Sequence, residues 1–162
     1  MKKVILIRHG KSSWEHDVTD RDRPLKARGV NDSELISKEL GVKGDIPKTI
    51  FSSPANRALS TCKIFLKSLD ISESEITVVE DLYDFEGQNV INFIKTLPND
   101  VNEVMIFGHN HAFTSISNIF GDTYIDNLPT SGLVKLNFEI DDWKDLKQGI
   151  TEFVIFPKEL KA

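Results

Sequence analysis

Cysteine is nearly absent: Cys62 is the only one in 162 residues. A lone thiol cannot form an internal disulfide, and such sparing use fits a reducing compartment. Long apolar runs are missing as well. Met1-Lys2-Lys3 has the charge of a secretion signal, but only four apolar residues, Val4 to Ile7, follow before Arg8. That is too short for a signal's apolar core or a membrane span, so cytoplasmic location is expected. Positive charge is in deficit, with 20 Lys and Arg against 25 Asp and Glu and a net charge of -5. A broad nucleic-acid or membrane interface is therefore not expected. Any phosphate recognition must come from a local cluster of cations. Repeats, linkers and low-complexity tracts are also missing. With 40% hydrophobic and 28% charged residues, the composition fits one soluble domain spanning 1–162.

The stretch from Val4 to Ser12 organises what is present. Four apolar residues in a row read as a short strand buried on both faces. It runs straight into Arg8-His9-Gly10. The carboxyl end of a buried strand is where open α/β sheets bind ligands. Arg8 offers a planar fork of donors suited to phosphate, and His9 offers a base, ligand or nucleophile. From the triplet alone, a strand that simply ends in two polar residues reads equally well.

A polar loop is expected from Ser12 to Pro24, then a helix from Leu25 to Leu40 with Gly29 interrupting its first turn and Gly41 and Gly44 ending it. Thr49–Ser52 reads as a strand, and Ser53-Pro54 opens a second helix with proline near its first position. Ile76–Val79 is a third strand. A loop spans Asp81 to Gln88, and Val90, Ile91, Ile94 and Leu97 mark a helix. Val104–Phe107 repeats the opening pattern and leads into Gly108-His109-Asn110, then a helix from His111 to Phe120. Leu133–Phe138 alternates like a strand with one half-buried face. Ile150–Phe156 reads as an edge strand. Strands alternating with helices predict a three-layer α/β/α fold with a mostly parallel sheet. If the two strands ending in a glycine–histidine pair are neighbours, His9 and His109 reach one crevice.

Arg57 adds a third component. It falls in the first turn of its helix, where free N–H groups and the dipole favour an anion. An arginine there is better explained if an anion lies between them. Two guanidinium groups and two imidazoles would hold a phosphoryl group, whose transfer needs mainly positioning and charge stabilisation. An in-line imidazole can attack phosphorus, and nearby arginines keep it neutral. No acidic or cysteine partner at ligand spacing accompanies His109 and His111, so no metal and no other cofactor is expected.

Arg8-His9-Gly10 resembles the signature of the histidine phosphatase superfamily, which includes phosphoglycerate mutases and acid phosphatases. Ser52-Ser53-Pro54-x-x-Arg57-Ala58-x-x-Thr61 is similar to its second motif, and Gly108-His109-Asn110 to its third. Ser12-Ser13-Trp14, Asp22-Arg23-Pro24-Leu25 and Leu128-Pro129-Thr130-Ser131-Gly132 resemble the small SixA-like branch of phosphohistidine phosphatases. The resemblance implies a phosphoglycerate mutase-like fold and a metal-independent phosphatase. In it His9 is phosphorylated and Arg8, Arg57 and His109 bind the phosphoryl oxygens. The Gly10 carbonyl holds the other ring nitrogen of His9.

Larger relatives carry an acid in the loop after the third strand. Asp84 fits their Leu-x-acid spacing and is the candidate acid, though its surroundings are not theirs. A weak acid favours good leaving groups, so phosphohistidine or aryl phosphates are expected over serine or sugar phosphates. The expected partner is a phosphorylated protein, such as a histidine-phosphotransfer protein, or a small phosphoester. A phosphomutase of small metabolites and a weakly catalytic phosphoprotein-binding module remain the alternatives. His111 stands where many relatives have proline. Lys11, Ser12, Ser13 and His16 read as solvated or structural, and Trp14 as packing the loop down or bordering the pocket. Arg23 reads as an ion-pair partner of Asp20 or Asp22, and Cys62, Phe51 and Phe107 as core.

Overall fold

The computed structural model describes residues 1–161. In chain order the elements are β1 (Lys2–Arg8), α1 (Ala27–Lys43), β2 (Ile50–Ser52), α2 (Asn56–Ser68), β3 (Ile76–Val78), α3 (Gln88–Lys95), β4 (Glu103–Gly108), α4 (Ala112–Phe120), β5 (Leu133–Phe138), β6 (Ile150–Ile155) and α5 (Pro157–Leu160). One six-stranded sheet has the order β3-β2-β4-β1-β5-β6. The four strands β3, β2, β4 and β1 are parallel; β5 pairs antiparallel with β1, and β6 antiparallel with β5. Among the described residues no helix is long and apolar enough to cross a membrane.

The central strands are apolar on both faces because both faces are covered. Val4, Leu6, Val104 and Ile106 enter one core with Val90 and Ile94 of α3 and Phe113 and Ile116 of α4. Ile5, Ile7, Met105 and Phe107 enter the other with Ile36 and Leu40 of α1 and Cys62 and Phe65 of α2. Successive side chains of a strand point to opposite faces, so the unbroken apolar runs produce three layers. Phe107 is buried as expected, whereas Phe51 is only half-buried.

Several boundaries differ from expectation. Gly29 does not interrupt α1. A Cβ there would lie 2.3 Å from the Lys11 carbonyl oxygen, and one on Gly10 would lie 2.8 Å from the Gly29 carbonyl oxygen. The two glycines let the chain leaving β1 pass against the first turn of α1. That helix also runs through Gly41 and stops at Gly44, whose φ is 76°. Pro54 precedes α2, which starts at Asn56.

β5 is buried along its whole length rather than on one face. Its long polar side chains find partners on neighbouring elements, although Asn137 Oδ1 is left without one. Lys135 Nζ pairs with Asp45 at 3.1 Å and Glu152 at 3.1 Å, and the Asn137 amide donates to Glu152 at 2.7 Å. The short α5 follows the edge strand β6 and carries proline at its start.

Candidate active site

β1 and β4 pair in parallel with Arg8 opposite Gly108. The two glycine–histidine ends therefore emerge side by side, and the His9 amide donates to the Gly108 carbonyl at 3.0 Å. The ring centroids of His9 and His109 are 5.3 Å apart. A pocket of about 280 Å³ opens over them, lined by Arg8, His9, Arg23, Arg57, Asp20 and Trp14 among others.

His9 is fixed from behind. Its Nδ1 lies 2.7 Å from the Gly10 carbonyl oxygen. A carbonyl only accepts, so Nδ1 carries the proton and Nε2 carries the lone pair. Gly10 is itself held, because its amide donates to the Thr61 hydroxyl at 2.8 Å. Thr61 in turn donates to the Arg57 carbonyl at 2.8 Å. One hydroxyl on α2 thus ties the strand bearing His9 to the helix bearing Arg57. On the other side the Ser131 amide donates to the His9 carbonyl at 3.0 Å.

His109 lies deeper and is fully buried. It does not line the open pocket. Its ring packs among His9, Tyr83 at 5.4 Å and Phe85 at 5.0 Å. Its Nε2 is 2.8 Å from the Ser53 hydroxyl, and its Nδ1 is buried without a partner. Burial drives both imidazoles toward the neutral form. Desolvation, reinforced by Arg57, Arg8 and Arg23, outweighs the Gly10 hydrogen bond and lowers the His9 pKa to about 3. Desolvation, with the adjacent His9 and Arg57, lowers that of His109 to about 2.

The guanidinium groups are anchored by parts of their forks. Arg8 Nη1 donates to the Leu128 carbonyl at 2.8 Å. Arg57 Nη1 donates to the Asp20 carbonyl at 2.6 Å and its Nη2 to the Asp20 carboxylate at 3.0 Å. Asp20 is thus the carboxylate beside Arg57. Arg8 Nε and Arg57 Nε are buried with no partner.

Arg23, expected only as an ion-pair partner, lines the pocket together with Trp14. Arg23 sits 3.2 Å over the Trp14 ring centroid. It donates to the Ser12 hydroxyl at 2.5 Å, to the Ser13 carbonyl at 3.1 Å and to Asp20 at 3.1 Å. The ion pair with Asp20 was legible, but an ion pair on the loop is also what carries the side chain over the strand end. Trp14 remains 74% exposed, so it borders the opening rather than packing the loop down. Lys11 also lines the pocket, and His16 is exposed.

Asp84, the candidate acid, lies at the start of α3. Its carboxylate accepts from the backbone amides of Glu86, Gly87 and Val90 at 3.1, 3.0 and 3.1 Å. Those contacts cap the first turn of α3, and Asp84 is not among the residues lining the pocket. The carboxylate that does line it is Asp20. Burial opposes its ionisation, but the Tyr83 hydroxyl, Arg23 and Arg57 win and hold its pKa at about 2.

A family model described as the histidine phosphatase superfamily, branch 1, matches residues 4–104. The chain belongs to that superfamily. Its fold is similar to that of the protein histidine phosphatase SixA complexed with tungstate, at a TM-score of 0.83 and 21% identity, over 98% of this chain and 99% of the other. It is similar to the putative phosphohistidine phosphatase SixA from Agrobacterium tumefaciens, at a TM-score of 0.74 and 26% identity, over 84% of this chain and 91% of the other. In sequence it is 27% identical to the uncharacterized protein ML1117 of Mycobacterium leprae, over 93% of this chain and 98% of that one. This member of the superfamily therefore combines a SixA-like fold with a pocket of three arginines around a neutral imidazole.

Proposed function

We propose that the protein is a metal-independent phosphatase that transfers a phosphoryl group to His9 Nε2 and then to water, with phosphohistidine in a protein as its substrate. One observation carries the reading. Three buried donors without partners, Arg8 Nε, Arg57 Nε and His109 Nδ1, belong to the side chains that surround His9. Unpaired buried donors are costly, and a phosphoryl group in the pocket that Arg8 and Arg57 line supplies acceptor oxygens. His109 fits this use if Ser53 donates to its Nε2, which leaves Nδ1–H as the donor.

The steps follow from the geometry. Nε2 attacks phosphorus as the bond to the leaving atom breaks, giving phospho-His9 and the freed leaving group. The Gly10 carbonyl accepts from Nδ1–H throughout and stabilises the positive charge that develops on the ring. Water then attacks phosphorus, the N–P bond breaks, and inorganic phosphate leaves. The arginines offset charge on the equatorial oxygens in both steps.

The leaving group supports the substrate class. The carboxylate lining the pocket, Asp20, has its pKa held at about 2, so it carries no proton to donate near neutral pH. An alkoxide needs such a proton. A phosphoramidate protonated on its ring leaves as neutral imidazole without one. The solved relatives named SixA are described as histidine phosphatases, which agrees.

The test is a side-by-side rate comparison of phosphohistidine, phosphotyrosine and phosphoserine peptides, with radiolabelled phosphate to trap the intermediate. Phosphohistidine is expected to be fastest and the label to be lost in His9→Ala. Label retained in His9→Ala removes the mechanism. Phosphoserine turned over as fast as phosphohistidine removes the substrate class.

A further inference from the structure

A second hollow, of about 470 Å³, lies beside the pocket and is larger than it. Three cations line it: Arg28 on α1, Lys158 on α5 and Lys161 just after α5, over an apolar floor from Phe156 and Pro157. The carboxylate that answers them is Asp32. It accepts a hydrogen bond from Arg28 Nε at 3.4 Å and forms an ion pair with Lys161 Nζ at 2.7 Å. Among the described residues Lys158 forms no ion pair, and the ends of the Arg28 fork make no hydrogen bond. Excess positive charge here is unusual on a chain of net charge -5.

The two hollows share a wall. Thr130 lines both of them. Its neighbour Ser131 donates to the His9 carbonyl at 3.0 Å, and Leu128 accepts from Arg8 at 2.8 Å. The segment that positions the catalytic arginine and histidine on one side is thus the edge of the cationic groove on the other. A chain whose phosphorylated side chain enters the pocket runs its neighbours across Thr130 into that groove.

We propose that this groove docks an acidic segment of the substrate protein flanking the phosphorylated residue. The proposal rests on the reading that the pocket takes a phosphorylated side chain of a protein. Charge decides the occupant: three cations over an apolar floor fit Asp and Glu side chains interspersed with apolar ones. The net charge of -5 over the chain disfavours a long uniform polyanion, which would overrun onto like charge. Such rim contacts act mainly on encounter and binding rather than on the chemical step.

The experiment compares two phosphohistidine peptides, one with Asp and Glu at the two to four residues on either side and one with Ser and Gln there. An aryl phosphate serves as a control too small to reach the groove. The protein is tested as wild type, as Lys158→Glu, and as Arg28→Gln/Lys158→Gln. Both variants retain the Lys161–Asp32 pair, and unchanged aryl phosphate kinetics shows that they fold. The acidic peptide is expected to have a KM lower by roughly five- to tenfold, the sum of a few exposed ion pairs. That advantage should vanish in both variants and at high salt, with kcat unchanged. Equal KM for the two peptides, or an advantage that survives both variants, overturns the groove and leaves the phosphatase reading intact. Inhibition by single-stranded DNA or anionic vesicles, lost in the variants, with no preference between peptides, also overturns it. Failure to turn over either peptide while the aryl phosphate is cleaved removes the phosphoprotein reading and the groove together.

Discussion

The Thr61 hydroxyl accepts the Gly10 amide and donates to the Arg57 carbonyl, both at 2.8 Å. It thereby links the residue that orients His9 to the residue that carries the second guanidinium. Thr61 touches no reacting atom and acts through these two. Thr61→Val preserves shape but leaves the Gly10 amide buried and unpaired, which costs about 1–3 kcal/mol. A misplaced nucleophile lowers kcat more than it raises KM. We expect kcat on an aryl phosphate to fall at least about tenfold, with Thr61→Ser restoring most of it. A variant that loses stability but keeps kcat would reduce Thr61 to packing.

Acid should unfold this protein early. His9 and His109 have folded pKa values of about 3 and about 2, depressed below the ordinary value of 6.5. The unfolded chain takes up protons below pH 6.5 and the folded chain does not, so stability falls as pH drops from about 6.5 toward 3. Each imidazole contributes a slope of roughly 1.4 kcal/mol per pH unit in that window. Asp20 adds a loss lower down, because its depressed pKa stabilises the fold above its unfolded value near 3.8 and that gain disappears as pH falls toward 2. Urea melts between pH 7 and 4 measure the slope. His109→Gln should flatten it by about one imidazole's share, and an unchanged slope would mean that His109 is not buried neutral.

Gly10 and Gly29 make a similar point about close approach. A methyl group on Gly29 would meet the Lys11 carbonyl oxygen at 2.3 Å and the Lys11 nitrogen at 2.8 Å. Backbone on a helix and backbone leaving a strand cannot both yield cheaply. Gly29→Ala usually helps a helix by up to about 1 kcal/mol. Here it should instead destabilise by about 1–3 kcal/mol and lower activity, because the displaced residue follows the Arg8-His9-Gly10 turn. Thermal melts with aryl phosphate assays check both, and a stabilised, active variant would contradict the contact.

Much of this was legible beforehand, for local reasons. Two buried apolar runs each ending in a glycine–histidine pair announce two parallel neighbours, and β1 and β4 pair accordingly. Arg57 stood out because an arginine in a first helical turn is better explained beside an anion. Its pairing with Asp20 was not legible, because it depends on how the loop before Pro24 folds across the strand ends. The same loop hid the pocket position of Arg23. The buried polar residues of β5 were missed because Lys135 and Asn137 imitate a solvent face while being neutralised by Asp45 and Glu152. Gly29 was read as a helix breaker when its role is tertiary. Propensity speaks for the segment itself, and these residues answer to neighbours far along the chain.

Asp84 offers a separation between catalysis and capping. Its carboxylate accepts three backbone amides at the start of α3, and removing such a cap costs about 1–2 kcal/mol. A general acid has a different signature, because its loss matters more when the leaving group is poor. Asp84→Ala should therefore lower the melting temperature while changing kcat/KM for an aryl phosphate and for an alkyl phosphate by the same small factor. The ratio of the two rates is the decisive reading, since partial unfolding scales both alike. If the alkyl phosphate rate falls by tenfold or more beyond the aryl rate, Asp84 donates the proton after all, and the α3 cap must open to let it do so.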